Sequence, residues 1–453
     1  MSRRILIVAM MLLPILLIAC AHGRSEDSRS ADDDVDDDAL DDDSSDDDVD
    51  DDVTPDDDVT PDDDATPDDD TTPDDDTAPD DDTTPDDDTT PADDDTTPDD
   101  DAVDDDSDDD AIDDDSVDDD SVDDDSVDDD TITFEYNLKV DNMPMADVLA
   151  NLDLFVERNL ILYLNVRPYD IGPDLTALLT AAYEQNVPVK LWPLLNSSDG
   201  SWGCEDDLDL FIANVWTTLD FVNTAPNGID TIVLNMELGH PKIDQFKQFV
   251  DNGDYAAAIQ LLLDNRDRTL FAQNAAKVQS LVDDLHALGY AVQVTTYPII
   301  PDDFADGDPD IQDVCDIPLQ GAAFDRWATT PYTTLWSEDI GLPLGPYFVY
   351  SYGQELVQYF GEAAEVAVGI VPTAGETGYT SLDAFAADVA AAKAARVQHI
   401  GVYHLPGILA QDDPAAWLDA LVNTPAAQPA NEPVVDLMHT ATKFADWVLN
   451  FVP

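Results

Sequence analysis

From Thr131 to the C-terminus, short apolar runs rich in β-branched and aromatic residues alternate with segments of helical period, the pattern of repeated βα units feeding a parallel sheet. Eight such runs can be counted: TFEYNL around Phe134, LILYLNVR ending at Arg167, VPVKLWPLL ending at Leu195, DTIVLNMEL from Asp230, YAVQVTTYP ending at Pro298, GAAFDRWATTPYTT around Trp327, VAVGIVPT ending at Thr373, and HIGVYHLPG ending at Gly407. Eight is the number that closes a (β/α)8 TIM barrel, an α/β fold with one continuous core.

The gaps between runs read as helices over Met145 to Arg158, Asp174 to Gln185, Asp206 to Asn223, Tyr255 to Leu288, Tyr347 to Phe360, Ser381 to Ala395 and Pro414 to Val422. The fifth gap, IIPDDFADGDPDIQDVCDIPLQ, has no helical period and reads as a long loop. After the Pro-rich TPAAQPANEP comes a last amphipathic helix, with Val434, Leu437, Phe444, Trp447 and Val448 expected to pack on the barrel. Residues 131–453 are thus expected to form one barrel with a C-terminal helix.

Charge changes the picture only upstream of the barrel. Of 104 acidic residues, 59 lie between Glu26 and Asp130, mostly as Asp triplets in repeats such as TTPDDD and SVDDD, against the single base Arg29. Self-repulsion, recurrent Pro and scarce apolar residues leave residues 20–130 no core to form, so they read as a disordered stalk. At about 3.1 Å per residue, roughly a hundred residues could span up to ~300 Å. The Asp oxygens are of the type Ca²⁺ prefers, but the repeats lack the glycine turns and terminal Glu of a calcium loop, so diffuse cation condensation is expected there. The barrel itself carries 45 acids against 13 Lys or Arg, which argues against nucleic acid and anionic lipid headgroups as partners.

The first residues, MSRRILIVAMMLLPILLIAC, have a basic start and a short apolar run, the form of a secretory signal peptide over residues 1–19. Leu17-Ile18-Ala19-Cys20 resembles the lipobox of bacterial lipoproteins, which implies a lipid on Cys20, a bacterial cell-envelope location at the outer membrane or cell surface, and membrane contact through the anchor alone. A monomer is expected.

In barrels of this class chemistry sits at the C-terminal ends of the strands. Those ends carry Asn165 and Arg167, Trp192, Asn235 and Glu237, Thr296 and Tyr297, Tyr332, and Tyr403 with His404. Two-residue alternation turns Asn235 and Glu237 toward the barrel axis and Leu234 and Met236 toward the helices. A carboxylate there must be paired, with Arg167 or Lys190 as partners in reach, or kept protonated with a raised pKa, as a general acid requires.

The spacing Asp230-x-x-Val233-x-Asn235-x-Glu237 resembles the DxxDxDxE motif of family 18 chitinases, with Val233 and Asn235 at two of its Asp positions. Asn two residues before Glu is similar to the family 85 endo-β-N-acetylglucosaminidases. The resemblance implies Glu237 as general acid, Asn235 orienting an acetamido group, and Tyr332 at the family's tyrosine position, in substrate-assisted hydrolysis. The chitinase SxGG is missing, and Thr333 stands where that family has Asp after its tyrosine. Glu376, after the seventh run, is the candidate second carboxylate of a two-carboxylate glycosidase, its competing reading being a solvated loop residue. Arg167, Trp192, Tyr297, Trp327, Tyr403 and His404 are the candidate substrate contacts, because sugar faces stack on aromatic rings; Tyr169, Trp202 and Trp336 also fall near strand ends. A polysaccharide or glycan hydrolase is the expectation, and a non-catalytic carbohydrate-binding or structural envelope lipoprotein is the alternative.

Cys204 and Cys315 fall in loops of one barrel face and are expected to form a disulfide outside the cytoplasm. Neither His240 nor His404 belongs to a ligand cluster, so no cofactor is expected. Asp306, Asp308 and Asp310 in DGDPD could hold Ca²⁺, against the reading of a solvated acidic loop.

Overall fold

The computed structural model describes residues 132–304 and 307–451. The signal segment, Cys20 and the stalk lie outside the described residues. The eight expected strands are all present: β1 Glu135–Val140, β2 Ile161–Val166, β3 Val189–Pro193, β4 Ile229–Asn235, β5 Ala291–Thr296, β6 Arg326–Thr329, β7 Ala364–Ile370 and β8 His399–Tyr403. They pair in parallel and in chain order, and β1 closes on β8 with Leu138 opposite Val402. The chain forms a (β/α)8 barrel.

Alternation explains the two sides of the wall. Leu138, Leu162, Leu164, Leu191, Ile232, Leu234, Val292, Val294 and Ile400 are buried in the core of the fold. Positions of the other parity build an interior that is unusually polar. Lys190 pairs with Glu365 and donates to Gln293 Oε1 at 2.8 Å, Gln293 Nε2 donates to Glu365 Oε1 at 3.1 Å, and the Tyr163 hydroxyl bonds Thr295 Oγ1 at 2.8 Å. Strands β2, β3, β5 and β7 are therefore tied across the axis by groups that have no water to turn to.

Helices differ from expectation at several places, among them Tyr255 to Leu288, which is two helices, Tyr255–Asn265 and Arg268–Ala287. Met145 to Arg158 is two short helices, Met145–Ala150 and Asp153–Arg158. A helix His240–Asp251 fills a stretch that has no helix in the sequence reading; its Pro241 lies in the first turn, where a missing N–H costs nothing. Tyr332 ends the sixth run by opening a helix, Thr333–Ile340. The acidic segment after β5 holds short helices Ile300–Asp303 and Asp310–Val314 and is buried rather than solvated. Asp303 accepts from the N–H groups of Ile311 and Gln312, and Asp310 pairs with Arg266 and Arg268.

The last helix, Pro433–Leu449, packs by a different face from the one expected. Val435, Met438, Thr442, Ala445, Asp446 and Leu449 are buried, while Leu437 and Trp447 are 64% and 55% exposed. Polar anchors set this rotation: His439 and Lys443 reach Asp302 and Glu355.

Candidate functional site

Strand β4 is held beyond its formal end by the loop after β3. Gly203 N–H donates to Asn235 O at 2.9 Å and Glu237 N–H donates to Gly203 O at 3.1 Å. A Cβ at position 203 would lie 2.6 Å from Met236 Sδ and 2.9 Å from Phe211, so only glycine allows this approach. The result is a fixed backbone for Glu237 at the C-terminal mouth.

Glu237 is 2% exposed and faces a chamber of about 30 Å³ together with Lys139, Trp192, Trp202, Asn235, Tyr332 and Tyr403. That volume suits about two waters. Burial pushes the Glu237 carboxyl up to about 8, with Lys139 and the Asn235 amide pulling it back. Burial likewise lowers the Lys139 ammonium to about 8, opposed by Glu365 and Glu237; its charge rests over the Tyr163 and Trp192 rings at 4.9 and 5.3 Å. Among the described residues, Glu237 Oε2, Asn235 Oδ1 and Trp192 Nε1 are buried without a hydrogen-bond partner in the protein, which leaves them open to the waters or ligand groups that the chamber can hold.

The pairings expected as alternatives do not form. Arg167 turns to Asp141 (3.7 Å) and to Leu195 O (2.9 Å), and Lys190 is taken by Glu365.

Beside the chamber, with Leu335 bordering both, lies an open cavity of about 540 Å³ at the ends of β1, β2, β7 and β8. Its wall includes Asp141, Asn165, Asp170, Glu376 and His404, with Tyr169, 68% exposed, among its lining residues. Asp141 accepts from the Tyr403 hydroxyl at 2.9 Å. Burial raises the Glu376 carboxyl, but hydrogen bonds from His404 Nε2 (3.2 Å) and from Thr373 N–H (2.8 Å) and Oγ1 outweigh it and hold it below the usual range. Burial raises Asp170, against the N–H it accepts from Arg167. Glu376 is thus a cavity wall residue and not a solvated loop carboxylate, and it lines a different cavity from Glu237.

Of the expected aromatic contacts, Trp192, Trp202, Tyr332 and Tyr403 line the chamber. Tyr297 and Trp336 are fully buried and line neither cavity. Trp327 alternates with Arg326 and Ala328, so it points out into the helical layer, stacked on Phe360 at 4.4 Å. Lys139, Asp141 and Asp170 were not among the sequence candidates. For Lys139 and Asp141 the signal is the polar alternation Asn137, Lys139, Asp141 along and just past β1; Asp170, in the turn after β2, has none.

Cys204 and Cys315 are free, buried thiols, not a disulfide. Their loops do meet, through Glu205 N–H to Asp316 O at 3.0 Å and through Lys242 bridging Asp206 and Asp316. Cys204 Sγ turns instead toward Asp207 at 3.7 Å, and burial pushes its thiol up to about 12. The expected Ca²⁺ set does not assemble around Asp310, whose carboxylate is taken by two arginines; Asp306 lies outside the described residues, and Asp308 groups with Asp303 and Asp446.

No protein-family model matches the chain, and no curated protein is similar to it in sequence. Similar solved structures include the spore cortex-lytic enzyme SleL of Bacillus megaterium QM B1551 (13% identity, 66% of this chain and 76% of that one, TM-score 0.39). The glycoside hydrolase domain of PgaB from Bordetella bronchiseptica (12%, 64% and 99%, TM-score 0.39) and a GH5 family lichenase from Caldicellulosiruptor sp. F32 (11%, 64% and 93%, TM-score 0.40) are others. An aldolase from Escherichia coli K12 and a D-allulose 3-epimerase from Methylomonas sp. are similar to a like degree.

Proposed function

We infer that the barrel is a glycoside hydrolase, with Glu237 as general acid, and that Cys20 and the Asp-rich stalk tether it by lipid to the bacterial cell envelope. The observation that carries the activity is the state of Glu237: a buried carboxyl at the end of β4, raised to about 8 and salt-bridged to neither Arg167 nor Lys190. A carboxyl neutral at pH 7 can give its proton to a leaving glycosidic oxygen. Asn235, on the same face two residues earlier, would orient an acetamido group or the 2-substituent, and Tyr332 and Trp192 border the same space. Among the chamber's lining residues Glu237 is the single carboxylate, which suits a substrate-assisted route over a protein nucleophile.

The second reading, a carbohydrate-binding protein without catalysis, is favoured by the chamber's small size, since about 30 Å³ beside Glu237 does not admit a sugar ring. A screen of chromogenic glycosides and insoluble polysaccharides with wild type and Glu237→Gln separates the two. Loss of a general acid lowers the rate by about 10²- to 10⁴-fold. Hydrolysis at the wild-type rate in the variant would end the assignment to Glu237.

A further inference from the structure

The open cavity beside the Glu237 chamber has its own chemistry. Three carboxylates, from Asp141, Asp170 and Glu376, come to its wall from three different strand ends, and no Lys or Arg is among its lining residues. Arg167, behind the wall, is engaged by Asp141 and Leu195 O. Two further side chains are built for a ligand that hydrogen bonds: Asn165 and His404, each 4% exposed, line the cavity with Asn165 Nδ2 and His404 Nδ1 buried and, among the described residues, without partners. Buried polar groups left open in this way are costly unless something completes them. At about 540 Å³ the space falls within the ~300–1,000 Å³ of small-molecule sites.

Resting on the carbohydrate reading above, we propose that this cavity binds the cationic form of a sugar, an oligosaccharide of hexosamine units with free amines. The ammonium groups meet Asp170 and Glu376, the hydroxyls complete Asn165 and His404, and the exposed Tyr169 ring receives a C–H face at the rim. A neutral or N-acetylated sugar gains the hydroxyl contacts but leaves the carboxylates uncompensated. A linear polyamine gains the charge contacts but offers no acceptor to Asn165 Nδ2 and no C–H face to Tyr169.

The test is calorimetric titration of the full chain at mildly acid pH and moderate salt with a glucosamine trimer, an N-acetylglucosamine trimer, a glucose trimer and spermidine. Asp170→Asn and Glu376→Gln serve as near-isosteric neutral variants, checked for folding by their thermal transitions. Diffuse binding to the Asp repeats is common to all forms and is subtracted by comparing variants with wild type. The proposal expects a saturable site for the glucosamine trimer at least tenfold tighter than for the other three ligands, weakened at least fivefold in whichever of the two variants folds. Equal affinity for all trimers, spermidine binding as tightly, or wild-type affinity in the folded variants would overturn it. If the site holds while Glu237→Gln leaves hydrolysis unchanged, the catalytic reading fails and the cavity assignment stands. If Glu237-dependent hydrolysis is found without this selectivity, the cavity assignment fails alone.

Discussion

Replacing Glu237 by Gln should make the barrel more stable at neutral pH, by an amount that grows with pH. The carboxyl titrates at about 8 in the fold against 4.5 for the free group. A raised carboxyl pKa means that the unfolded chain ionises first, so its contribution to stability is intact below pH 4.5 and is lost as pH rises through 8. Wild type therefore loses about 3 kcal/mol through this group between pH 4.5 and 7, and about 5 kcal/mol once the pH is well above 8. Gln keeps the shape and the hydrogen-bonding capacity but has nothing to ionise, so the difference between the two proteins cancels the titrations that Glu237 does not touch and leaves its own, together with that of Lys139 beside it. Urea unfolding of both proteins at intervals from about pH 5 to about pH 9, with free energies from linear extrapolation, reads this difference directly. A stability difference that does not change with pH, or a variant that is less stable throughout, would refute the reasoning. A flat difference would mean that Glu237 is ionised in the fold over this range as it is in the unfolded chain.

Other substitutions test the frame around the site. Glu365→Gln strands the Lys190 charge inside the barrel and should cost about 3–5 kcal/mol in denaturant unfolding, much of it regained in Lys190→Met/Glu365→Leu; equal losses in single and double variants would contradict the paired network. Gly203→Ala forces Met236 and Phe211 apart from the new methyl, so it should lower the melting temperature and reduce any hydrolysis together, and wild-type behaviour would mean that the close approach is dispensable. Leu335→Ala should cost about 2–5 kcal/mol of stability yet raise kcat/KM on polymers by joining the two cavities, and a fall in kcat/KM in a folded variant would show that Leu335 does not gate Glu237.

The barrel was legible because each strand is a dense apolar run with turn residues at its ends, and the position of Glu237 followed from counting those runs. What stayed hidden depends on partners distant in sequence. Lys190 and Glu365 lie 175 residues apart; Lys190 reads in the sequence as a partner within reach of Glu237, and Glu365, just ahead of the seventh run, gives no sign there that it claims that charge inside the barrel. Trp327 is expected at the C-terminal end of its strand but is the second residue of β6, and period two alone does not say which parity faces inward; Arg326 and Ala328 claim that side. The final helix shows the same limit. Its larger apolar residues Leu437 and Trp447 point outward because Asp446, His439 and Lys443 find their partners in the segment after β5. The large cavity escaped notice because Asp141, Asp170 and Glu376 sit in loops that only barrel closure brings together, β1 meeting β8 at Lys139 and Tyr403.

The pH dependence of kcat/KM on whichever glycan the screen identifies tests the central claim most directly. With Glu237 as the acid, the rate should fall as pH rises through about 8, and this limb should be missing from the residual activity of Glu237→Gln. A wild-type rate that stays level through that range, or a variant that keeps the same limb, would contradict it.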